Sequence, residues 1–311
     1  MWLWISYLKS MEITKLRELL DYYEEPINIF KDNQEEYKKI LTEREYKVIN
    51  KSRNLDVLIK EYHKLQEKEI TFIHCKEENY PKRLKNIPDY PYGIFVKGRL
   101  PQENAVNIAI IGARNSTFYG QELARMFGRE LAKNGVNIIS GLALGIDGCS
   151  HKGALEGKGY TLGVLGGGID TVYPQENYRL YEDMKIHGGI LSEYFPGFKP
   201  KGRWFPMRNR IISGLSDGIL VIEAKHKSGS LITVDQGLEQ GKNIYAIPGR
   251  ITDVLSEGCN DIIRQGATLV SSPQQILEEF SFLINQENLS PPKYKSQQEK
   301  EKILANEEKI V

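Results

Sequence analysis

The chain has 311 residues, 40% of them hydrophobic and 27% charged, with a formal net charge of +1. That composition excludes a disordered, fibrous or strongly polyionic chain and leaves room for two domains, one with a substantial core. Three scattered cysteines (Cys75, Cys149, Cys259) and no apolar run near the roughly 20 residues of a membrane span argue against a disulfide framework, a zinc site or a bilayer segment, and predict a soluble cytoplasmic protein.

Residues 1–67 carry no glycine and show helical spacing: Leu16, Leu19, Leu20, then Leu55, Leu58, Ile59, Tyr62 and Leu65. A small all-helical domain is predicted there, its N-terminus being a first helix and not a signal peptide, with a break near Glu25-Pro26. Ile70–Ile73 and Gly93–Val96 read as short strands around a turn-rich stretch. From residue 106 the pattern becomes strand, glycine loop, helix. The runs are Val106–Ile111, Val136–Ile139, Thr161–Leu165, Ile190–Ser192, Ile219–Ile222, Asn243–Ile247 and Thr268–Val270. Helical stretches lie at Gln121–Lys133, from about Asp147, at Leu231–Gln240 and at Pro273–Leu283. Continuous apolar runs separated by helices predict an α/β fold, a doubly wound, mostly parallel sheet spanning 68–284, with ligands beyond the carboxyl ends of its strands. Residues 285–311 are expected to be a linker leading into one more helix.

Four loops carry the chemistry. Gly112-Ala-Arg114-Asn115-Ser116-Thr117 opens a helix and offers N–H groups and an arginine to a phosphate; it matches neither a dinucleotide fingerprint nor a Walker A loop, so no cofactor is implied. In Ser140-Gly141-Leu-Ala-Leu-Gly145-Ile-Asp147, Asp147 suits a helix cap and could share a face with His151. Gly166-Gly167-Gly168 suits either a tight turn or a surface under a ligand. Ser228-Gly-Ser230-Leu-Ile-Thr233 presents hydroxyls at a helix start, and Glu223 precedes it as a conceivable base with no accompanying nucleophile. Ser228 or Ser230 with His151 and Asp147 would make a triad only on paper, so no catalytic residue and no metal ligand is assigned.

The segment between Glu193 and Asp217 stands apart. Lys199, Lys201, Arg203, Arg208 and Arg210 alternate with Tyr194, Phe195, Phe198, Trp204 and Phe205, and no acid interrupts them. Cations neutralise phosphates, and rings stack on unpaired bases at about 1–3 kcal/mol each. The alternative is a loop with inward rings and solvated charges. Arg208-Asn209-Arg210 is expected in the first turn of a helix after Pro206, where cations are unfavourable unless an anion is bound or Glu193 or Asp217 pairs with them.

These stretches together resemble the DNA-processing protein A family. The resemblance rests on Ile110-Ile-Gly112-Ala-Arg114, Ser140–Asp147, His151–Leu155, Leu165–Gly168 with Tyr173-Pro174, and Ser192-Glu193. It continues through Phe205-Pro-Met-Arg-Asn-Arg-Ile211, Ser228–Thr233, Ile247-Pro-Gly249, Gly258-Cys-Asn260 and Gly266-Ala267. It implies an extended Rossmann-like domain that binds single-stranded DNA without catalysing a reaction. The family acts as a recombination mediator in natural transformation and DNA uptake: it protects the incoming strand, displaces single-strand-binding protein and loads a RecA-type recombinase, as a homodimer. The DNA-binding residues it implies are Gly112, Arg114, Gly141, Lys201, Arg203, Phe205, Arg208, Asn209, Arg210, Ser230 and Thr233. The helical domain resembles the family's SAM or helix-hairpin-helix-like one without its hairpin glycines. Position 144 is Leu where many relatives carry a cation, and Lys300-Glu-Lys-Ile-Leu is the expected start of a winged-helix domain. The reading in reserve is a Rossmann-like domain that binds or hydrolyses a nucleotide-derived small molecule, with Glu223 as base.

Overall fold

A computed structural model describes residues 1–8, 11, 13–33 and 36–287. Among these, nine strands form one sheet: β1 (Thr71–His74), β2 (Gly93–Gly98), β3 (Asn107–Ile111), β4 (Asn137–Ser140), β5 (Thr161–Gly168), β6 (Gly189–Tyr194), β7 (Gly218–Val221), β8 (Asn243–Ala246) and β9 (Thr268–Leu269). Their order is β1-β2-β6-β5-β4-β3-β7-β8-β9. The seven strands from β6 to β9 in that order run parallel, and β2 and then β1 add antiparallel at one edge. The chain winds outward from β3 to β6, then crosses back to place β7 on the other side of β3. The switch point of this doubly wound sheet therefore lies between the carboxyl ends of β3 and β7.

β3 shows why the apolar runs are continuous. Its five residues are all buried; Ile108 and Ile110 pack on one face, Ala109 and Ile111 on the other. The first face is covered by the helix Phe118–Lys133, which buries Gly120, Ala124, Phe127, Gly128 and Leu131 along one stripe. That helix starts three residues before the expected Gln121, at a Thr117 cap whose Oγ1 accepts the Gly120 N–H at 3.0 Å. The second face carries the helix Trp204–Leu215 through Ile211, Ile212 and Leu215. The same apolar cluster takes in Trp4, Leu19, Ile29 and Ile49, so the N-terminal helices share their core with this side of the sheet.

The expected linker falls largely on residues 288–311, outside the described residues. No helix among the described residues is long and apolar enough to cross a membrane, and no group of three or more His, Cys, Asp or Glu among them could hold a metal ion.

Candidate nucleic-acid interface

At the switch point the sheet opens into a cleft of about 730 Å³. Its near wall is the loop after β3, which supplies Gly112, Arg114 and Asn115; its far wall is the segment after β7, with Lys225, Lys227, Ser228 and Ser230. Lys201 and the helix Trp204–Leu215 close a third side and place Phe205, Arg208 and Asn209 inside, while Thr233 lines it from the helix Gly229–Glu239. Arg114, Lys201, Lys225 and Lys227 are exposed. Asp147 is the one carboxylate among the lining residues, and it is buried.

Arg208 forms the floor. The residue is 4% exposed, and its guanidinium donates from Nη1 to the Gly141 carbonyl at 2.8 Å and to the Val164 carbonyl, and from Nε to Asn209 Oδ1 at 3.2 Å. It makes no ion pair among the described residues. Burial lowers its pKa to about 10, so it keeps its charge at neutral pH. Gly141 leaves room for this arrangement, since a Cβ there would sit 2.5 Å from Arg208 Nη2 and push the guanidinium from its place. Asp147 is not the helix cap expected of it. It lies inside the helix Ile146–Glu156, and its Oδ2 accepts the Gly141 N–H at 3.1 Å. Burial raises its pKa despite the opposing pull of Arg208. His151 lies below the cleft, fully buried, with Nδ1 2.6 Å from Thr161 Oγ1.

Phe205 packs against the strand. A Cβ at Gly166 would stand 2.7 Å from its ring, so the glycines ending β5 make room for this segment and form no turn. The guanidinium of Arg114 lies over the Phe205 ring at 4.8 Å and that of Arg208 at 6.0 Å, while the Tyr173 ring stands 5.9 Å away. Phe205 is therefore a support for two cations more than an open stacking surface. Tyr173, 53% exposed, is the ring that faces solvent beside it.

The other rings of the basic-aromatic segment turn inward. Tyr194 and Phe198 stack at 4.6 Å, Trp204 and Phe195 pack on Phe198, and Tyr7 of the helix Trp2–Tyr7 stacks on Phe195 at 4.6 Å. Arg203 and Arg210 also face away from the cleft. Arg210 donates to Glu193 at 3.0 and 3.1 Å and to Asp89 at 2.7 Å. Burial opposes its charge, but Glu193 and Asp89 outweigh it and the net shift is upward. The helix begins at Trp204, so Arg208 and Arg210 lie beyond its first turn and no helix-end effect calls for a phosphate beside them.

Glu223 is likewise occupied. Its carboxylate accepts the Thr117 N–H at 2.8 Å and the Thr117 hydroxyl, so it fills the start of the helix Phe118–Lys133, where a phosphate is expected from the sequence. Of the eleven residues that the resemblance implies, eight line the cleft. Gly141 lies under it, and Arg203 and Arg210 belong to the neighbouring groove. Sequence reasoning missed Tyr173, Lys225 and Lys227. The signal for the lysines was Lys225-His-Lys227 leading directly into Ser228-Gly-Ser230 at a strand-to-helix junction.

The family model described as DNA recombination-mediator protein A matches residues 71–281. This chain belongs to that family. It is 44% identical over 215 residues to DNA processing protein DprA of Bacillus subtilis, a match covering 69% of this chain and 72% of that protein. It is 44% identical over 211 residues to protein Smf of Escherichia coli, covering 68% of this chain but 56% of that longer relative. Among solved structures it superposes on DNA processing protein A from Streptococcus pneumoniae with a TM-score of 0.77 and 34% identity, over 88% of this chain and 96% of that one. DNA processing protein A from Helicobacter pylori, solved for its single-stranded DNA binding mode, gives a TM-score of 0.61 and 30% identity over 68% and 95% of the two chains. The family membership, the helical N-terminal region and the mostly parallel Rossmann-like sheet all match the sequence expectations.

Proposed function

We propose that this chain binds single-stranded DNA in the switch-point cleft and acts as a recombination mediator in DNA uptake, protecting the strand and passing it to a RecA-type recombinase in place of single-strand-binding protein. The observation that carries the reading is Arg208: a buried cation with only carbonyl and amide acceptors, under an opening rimmed by Arg114, Lys201, Lys225 and Lys227. A polyanion threaded there would meet all five cations. Serine hydroxyls and backbone at Ser228–Ser230 would supply further donors. The single-stranded DNA binding mode described for the Helicobacter pylori relative supports the same ligand. A homodimer, which the family resemblance implies, and a cytoplasmic location, which the scattered cysteines suggest, belong to this proposal.

No reaction is assigned to the chain. Glu223, the base of the reserve hypothesis, is tied to Thr117 and is absent from the residues lining the cleft. The test is anisotropy of a labelled oligo-dT strand titrated with the chain at two salt concentrations, beside a matched duplex. Tight single-strand binding that falls steeply with salt is expected. Equal or stronger duplex binding, or no binding at low salt, would remove the reading.

A further inference from the structure

The basic-aromatic segment has a second face. Away from the cleft it turns toward the N-terminal helices, and the two surfaces enclose a groove of about 1140 Å³. One wall carries Lys199, Lys201, Arg203 and Trp204, and the other carries Thr42 and Arg44. Lys201 lines both this groove and the cleft, so the two are continuous.

The charges in the groove are unevenly satisfied. Glu193 is held by Arg210, and Glu45 accepts the Thr42 N–H at 2.9 Å and the Thr42 hydroxyl at 2.7 Å. Glu43, beside Arg44, pairs with Lys47 at 2.6 Å. Arg44, Lys199, Lys201 and Arg203 are exposed and make no ion pair among the described residues. Arg44 also stands in the first turn of the helix Glu43–Ser52, whose positive end disfavours a cation. Like charges gathered on two facing walls repel one another unless a polyanion lies between them. Arg203 lies 4.4 Å over the half-buried Trp204 ring, which holds that cation at the groove wall.

We infer that a single strand longer than the cleft continues past Lys201 into this groove, where Arg44 from the N-terminal helices joins Lys199 and Arg203 in contacting its phosphates. The inference rests on the cleft reading above and extends it. It gives the N-terminal helices a direct part in binding, entered only by strands that outrun the cleft. Occupancy of the groove therefore depends on strand length, which separates the two sites experimentally.

The test uses the full chain and labelled oligo-dT strands of about 6 and about 20 nucleotides, one near the short end of the roughly 4–16 nucleotides usual for single-strand grooves and one beyond it. The double variant Arg44→Ala with Lys199→Ala is expected to bind the long strand roughly 10-fold more weakly. Its salt slope should shrink by about 1.4, at about 0.7 per phosphate contact, with the short strand unaffected. Arg114→Ala should weaken both lengths. The single exposed change Arg44→Glu repeats the test by reversing one charge and should cut long-strand affinity while sparing the short strand. If both groove variants bind both lengths like the parent while Arg114→Ala weakens both, the groove is wrong and the cleft stands. A parent chain that binds neither strand, or an Arg114→Ala variant that matches it, would sink the cleft reading and this inference with it.

Discussion

Arg208 and Arg210 sit two positions apart on one helix and are equally buried, at 4% and 3% exposure, yet they face opposite solutions to the same problem. Taking a guanidinium out of water is costly unless something compensates its charge. On the seam toward the N-terminal helices, Arg210 is compensated by Glu193 and Asp89. In the cleft, Arg208 has carbonyls and an amide, and its pKa is depressed. The first arrangement is complete within the fold. The second has only the pull of the buried Asp147 within the fold, and under the proposed function a bound phosphate completes it. Density of positive charge along a segment therefore says less than which charges the fold has already neutralised.

The comparison breaks most readily on the seam. Glu193→Gln leaves Arg210 buried with Asp89 as its remaining carboxylate and should cost about 3 kcal/mol in urea unfolding, with single-strand affinity of the folded fraction nearly unchanged. A stability loss below about 1 kcal/mol would mean that the pair is not what holds Arg210. On the cleft side, Lys225→Ala with Lys227→Ala should lower the salt slope of binding by about 1.4 and leave the urea midpoint in place, because both side chains are exposed on the rim. Arg114→Ala should lower that slope by about 0.7, and its loss from the Phe205 ring should barely register in stability.

The smallest effect is on pH. Burial, with Arg208 adding to it, holds His151 at a pKa of about 3, below its ordinary value of 6.5. As pH falls the unfolded chain takes up this proton first, so the stability His151 allows is complete above about pH 6.5 and is lost progressively toward pH 3. Between pH 8 and pH 6 the loss should be about 1 kcal/mol, and His151→Gln should flatten that part of the profile. An identical slope in parent and variant would show that His151 titrates normally.

Much of the fold was legible because its strands are buried on both faces and read as unbroken apolar runs. Val106–Ile111 and Ile219–Ile222 name β3 and β7 to within a residue, and the glycine loops after the strands mark the edge of the sheet where a ligand is expected. The Phe205-Pro-Met-Arg208 stretch likewise pointed to the cleft. What the sequence withheld depends on the order of strands in space. Arg210 meets Glu193 because the fold brings the helix Trp204–Leu215, packed mainly over β5, within hydrogen-bond reach of Glu193 at the end of β6, a pairing that spacing along the chain suggests only as one option. The rings of Tyr194, Phe195 and Phe198 read as stacking surfaces until their mutual packing and Tyr7 take them. Glu223 looked like a free carboxylate at a strand end because its partner, Thr117, is 106 residues away in sequence.

The central claim is that the charge on Arg208 serves a ligand and the charge on Arg210 serves the fold. The direct measurement is oligo-dT affinity of Arg208→Met at fixed salt, taken with its urea midpoint. A loss of about 2 kcal/mol in binding, roughly 30-fold, with a smaller loss of stability than Glu193→Gln shows, is the predicted result. Unchanged affinity in a folded Arg208→Met chain would contradict it and reduce the cleft's floor to a structural contact.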